Sequence, residues 1–72
     1  MRYYIYILFR NGEEGYFYKV EDGVVRYFSE YVSGCCYHAP NYERALAKAK
    51  WLCKTFRCVG RTEIVKKDSR YF

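Results

Sequence analysis

One histidine, one proline and one tryptophan are all that this chain of 72 residues has of each. The lone imidazole, His38, could pair with Cys35 or Cys36 as a nucleophile, but no residue stands out to orient the ring. So short a chain also leaves little room for a substrate pocket, and no catalysis is expected. A phosphate-cradling glycine loop is missing too, since Gly12, Gly15 and Gly23 fall where turns are needed. Tyr3 to Phe9 is apolar and follows Arg2, yet it is short, rich in Tyr and has no small-residue cleavage site before Arg10. It reads as neither signal peptide nor membrane span. The expected compartment is therefore the cytoplasm, where the four cysteines stay reduced. Repeats, linkers and composition shifts are also lacking, and residues 1–72 read as a single domain.

Aromatic side chains are what the chain has in excess: ten Tyr, five Phe and one Trp. A chain this short buries only about 60% of the surface its unfolded form exposes. Each aromatic ring buries roughly 150–250 Å² from a single position, which compensates in part. There are more rings than one small core needs, so some lie on the surface as contact area. Thirteen Lys and Arg against eight Asp and Glu give a net charge of +5, which favours acidic partners.

Alternation of Tyr3, Ile5, Ile7 and Phe9 with Arg2, Tyr4, Tyr6, Leu8 and Arg10 predicts a first strand with one apolar face. Asn11-Gly12 starts a connection to a second strand over Tyr16 to Glu21. Asp22-Gly23 is a clearer hairpin signal, leading into Val24 to Phe28. Residues 29–40 read as an extension of the third strand or an irregular loop. Pro40 stops the extended chain, and Asn41 caps a helix from Tyr42 to Arg57, with Glu43 suited to its first turn and Lys54 and Arg57 to its last. Gly60 is expected to end the helix in the left-handed conformation, before a final strand over Thr62 to Lys66 and a basic, aromatic tail. The expected architecture is α+β: a two-layer sandwich of an antiparallel sheet of three to four strands, order β-β-β-α-β, with one helix packed on one face.

On that helix, Tyr42, Ala45, Leu46, Ala49, Leu52, Cys53 and Phe56 form one stripe, at about 100° per residue. Trp51 falls outside it, with Lys48, Lys54, Lys50 and Arg44 around it. A large apolar ring within positive charge has the composition of a recognition surface, so these five form the expected partner-binding set. The plainer reading is that Tyr71 and Phe72, or the 29–40 segment, fold over the indole.

The hairpin at Asp22-Gly23, the helix entry Asn41-Tyr42-Glu43-Arg44-Ala45 with Ala49 beyond it, and Glu63-Ile64-Val65-Lys66-Lys67-Asp68 together resemble small prokaryotic and phage domains of this layout. Several phage anti-CRISPR inhibitors are similar to it as well. The resemblance covers most of the chain, and the Cys35-Cys36 segment departs from it. It implies a phage or mobile-element accessory protein, acting in the host cytoplasm, that inhibits a host defence factor by occupying its surface. Many such inhibitors are acidic mimics of nucleic acid, and a basic chain argues against simple mimicry.

Two further readings stand beside that one. Arg2, Tyr4, Tyr6 and Arg10 would form an aromatic and basic row on the sheet face turned away from the helix, on which single-stranded nucleic acid could stack. Against it, Tyr is also a good β-former and cross-strand packer. Self-association through a helix or a sheet edge is the other. Cys35, His38, Cys53 and Cys58 have some of the spacing of a zinc site, though Cys53 falls in the apolar stripe. No cofactor is expected. The partner is a protein or ribonucleoprotein, with nucleic acid and a second copy as the alternatives.

Overall fold

The computed structural model describes residues 1–67. Five strands, β1 (Arg2–Phe9), β2 (Glu14–Glu21), β3 (Val24–Phe28), β4 (His38–Ala39) and β5 (Val59–Lys67), form one antiparallel sheet, and one helix, α1 (Tyr42–Thr55), lies between β4 and β5 in sequence. β1 is the centre. β5 runs along one of its edges from Arg2↔Lys67 to Phe9↔Val59, while the other edge is shared. β2 takes Tyr6 to Leu8 and β4 takes Tyr3 and Tyr4. β3 pairs with β2 and ends the sheet on that side.

The hairpin forms as its turn residues require. Asp22 and Gly23 both have positive φ, at 53° and 74°, the geometry of a two-residue turn whose twist matches the strands. Asn11 also closes its connection locally, its Oδ1 accepting from the Glu13 amide at 2.9 Å. Asn41 caps α1 in the same manner, its Oδ1 accepting from the Arg44 amide at 2.9 Å.

Ile5, Ile7, Phe17 and Val25 of the sheet meet Ala49 and Leu52 of the helix, and Val59 closes the core. Period-two alternation puts the first four on the helix side, as expected for β1. In β2 the register shifts between Phe17 and Lys19, so Tyr18 is an extra residue and Val20 returns to the core side opposite Val25. α1 packs chiefly on β5, then on β1 and β4.

Several expectations are corrected. The sheet has five strands rather than three to four, because His38–Ala39 adds β4, and Gly15 lies within β2 rather than in a turn. The helix ends at Thr55 rather than Arg57, because Phe56 turns extended (φ −115°, ψ 115°) and anchors its ring against the core. Gly60 does not end it. It lies within β5 as the extra residue opposite the Leu8/Phe9 step, where a Cβ would sit 3.0 Å from the Leu8 carbonyl oxygen. The 29–40 segment is no extension of β3. It turns at Gly34 (φ 80°), the Tyr37 amide donates to the Phe17 carbonyl at 3.0 Å, and the chain then fills the half of the β1 edge that β2 leaves vacant.

Candidate binding surface

Trp51 is 41% exposed on α1, so the outward placement read from helical spacing holds. Its indole is propped by Phe56, edge-on at 5.6 Å, and by Lys48, whose Nζ is 4.3 Å from the ring centroid. Lys48 also lies 5.8 Å from the Tyr37 ring, which links this flank of the helix to the segment before β4. A ring already held by two neighbours loses little side-chain freedom on binding. Arg44 and Lys54 are exposed nearby. Lys50 is exposed too, but successive helical residues are about 100° apart, which turns it away from Trp51 toward β5. The set of five is thus split by the helix into four and one. Tyr71 and Phe72, which in the plainer reading would fold over the indole, lie outside the described residues.

The distribution of ion pairs separates the two candidate surfaces. Glu21 holds Lys19 at 3.1 Å and Arg26 at 3.7 Å, and Glu63 holds Arg61 at 3.1 Å, all on strands. No ion pair among the described residues involves α1. Residues 42–57 carry Arg44, Lys48, Lys50, Lys54 and Arg57 against Glu43 alone, a net four of the chain's five positive charges.

The row proposed on the opposite sheet face is broken up. Tyr4 points to that side but is only 1% exposed, a correction to its reading as a free platform. Tyr31 lies over it, the rings edge-on at 5.2 Å and the hydroxyls 3.1 Å apart, with His38 at 5.9 Å. Tyr6 donates to Glu14 Oε1 at 2.8 Å, and that bond holds its phenol above the ordinary value. Tyr27 is raised likewise by its bond to Glu13. Burial and the Tyr4 hydroxyl push the Tyr31 phenol up to about 12. Arg10 spends its Nε on the Arg57 carbonyl beyond the helix. The face is a second aromatic layer in which Tyr16 meets both Tyr6 and Tyr31, and Tyr18 stacks on Phe28 at 4.4 Å. Nothing in the alternation of β1 signals this layer, because Tyr31 arrives from a loop.

Cys35, His38, Cys53 and Cys58 are not assembled. His38 lies by Tyr4 on the face away from the helix, whereas Cys53 Sγ lies 3.8 Å from Thr62 Oγ1 on the helix side. Among the described residues no group of three or more His, Cys, Asp or Glu is placed to hold a metal ion, and all four cysteines are free thiols. Cys53 is exposed, which corrects its place in the buried stripe; Tyr42 at its other end is 51% exposed. No helix among the described residues is long and apolar enough to cross a membrane.

No family model matches the chain, and none of the curated proteins or solved structures compared with it matches either.

Proposed function

We propose that the chain is a non-catalytic binding domain that docks the outer side of α1 on an acidic protein surface. The observation that carries this reading is the coincidence of a half-exposed, propped Trp51 with helix cations that no carboxylate among the described residues neutralises. Trp51 supplies the desolvated anchor; Arg44, Lys48 and Lys54 steer the approach and fix orientation. The resemblance in layout to phage inhibitors supports the narrower form, a steric inhibitor of a host defence factor carried by a phage or mobile element.

The single indole makes the test direct. Fluorescence is followed as the chain is titrated with a polyglutamate peptide, and separately with mixed-sequence single-stranded and duplex oligonucleotides, at low and moderate salt. The expected result is a shift of Trp51 emission with the acidic peptide and weaker binding by the Lys54→Glu variant. Binding of oligonucleotides alone, falling steeply with salt through release of condensed counterions, would transfer the surface to nucleic acid.

A further inference from the structure

The helix carries a wider apolar stripe than the sheet covers. Ala45, Ala49 and Leu52 are buried, but Leu46 is only half-buried and Tyr42 and Cys53 are exposed. These last three share the flank above β5. Cys53 lies beside Thr62, and the Tyr42 ring meets Tyr3, whose neighbour across the ladder is Lys66. The helix therefore runs antiparallel to β5 and leaves a ledge along its outer side. Among the described residues β5 pairs with β1 alone, so the strand beneath that ledge has a free edge.

We propose that this edge and ledge take a second copy of the chain, β5 pairing antiparallel with its counterpart about a two-fold axis at Val65. Glu63 of each copy then faces Lys67 of the other, and Val65 faces Val65, on the sheet side away from the helices. Edge lysines ordinarily repel a second strand. Here the symmetry sets each Lys67 beside a carboxylate.

Other registers are worse. An axis at Glu63 opposes two carboxylates, and one at Ile64 sets Arg61 against Lys67. An axis between residues turns the helix-covered face outward in one copy. An axis at Thr62 pairs Arg61 with Glu63 but crosses the helices near Cys53, which leaves Leu46 and Glu43 of each copy without a counterpart.

The helices agree with the Val65 axis. Counting back from Cys53, seven helical residues at about 1.5 Å each reach Leu46, and three strand residues from Thr62 at about 3.3 Å each reach Val65, so the two are level. Because α1 sits chiefly over β5, the two helices come side by side across the axis. Leu46 meets Leu46, and Glu43, one turn before it, meets Lys50 of the other copy, one turn after. Trp51, on the far flank, stays open in both copies.

The test is sedimentation equilibrium of the full chain from micromolar to millimolar concentration. A reversible dimer is expected. Glu63→Lys and Lys67→Glu each raise its dissociation constant at least about tenfold, while the double exchange restores it to within about threefold. Leu46→Lys weakens the dimer without altering the strand, and circular dichroism confirms that each variant is folded. A chain that stays monomeric throughout overturns the proposal, as does a double exchange that restores nothing. Oxidation that links Cys53 to Cys53 marks the Thr62 axis and overturns it as well.

Discussion

Tyr31 has the strongest individual consequence of any residue, because it converts an exposed sheet face into a packed layer. Its phenol stands at about 12 against an ordinary 10.0, held there by burial and by the Tyr4 hydroxyl. A group whose folded value is raised contributes stability that is complete below its unfolded value and lost as pH climbs through the folded one. Stability should therefore hold up to about pH 10 and decline between 10 and 12. Urea unfolding at stepped pH checks this, and Tyr31→Phe should flatten the decline. Absorbance near 295 nm should show a phenol ionising near pH 12 that is lost in Tyr31→Phe. At this scale the sequence is informative where spacing alone decides orientation, as for Trp51. It is silent where a ring comes from a loop, and Tyr4 was misjudged for that reason: alternation gives the side of a strand, never what covers it.

Among the elements, those legible in advance are the ones whose cause is local. The Asp22-Gly23 turn and the Asn41 cap are set by the chemistry of one or two residues, and both formed as read. β4 was not legible: two residues carry no periodicity, and they become a strand only because β2 leaves half of the β1 edge vacant. The width of the helix stripe misled for a similar reason, since it records apolar positions without saying how much of the stripe the sheet reaches. Two substitutions test the local causes. Asn41→Ala removes the acceptor for the Arg44 amide and should cost about 1 kcal/mol in denaturant unfolding, with an unchanged slope. Gly15→Ala should cost more, at least about 2 kcal/mol, because the added methyl runs into the Phe28 carbonyl and the Tyr27 ring, and the backbone is the less able of the two to move. Should Gly15→Ala prove neutral, the close approach of β3 to β2 at this point is wrong.

Over the described residues the ion pairs are segregated: Glu21 and Glu63 hold cations on the strands, and no ion pair involves the helix. Net charge alone cannot describe how such a particle meets an acidic surface, because potential depends on where unpaired charges gather. Two double variants separate the two descriptions. Lys48→Glu with Lys54→Glu, and Lys19→Glu with Arg26→Glu, change the formal charge equally. The first pair removes the exposed Lys54 and the half-buried Lys48, which stand without ion pairs among the described residues, and with them Lys48's support of the indole; the second removes cations already held by one carboxylate. On a sulfonate cation exchanger the helix variant should therefore elute at clearly lower salt than the strand variant. Equal elution would mean that the surface reads only as a sum, and the outer side of α1 would lose its claim to be the docking face. An earlier strand variant would move that claim to the β2–β3 hairpin, where Lys19 and Arg26 lie opposite one another in register.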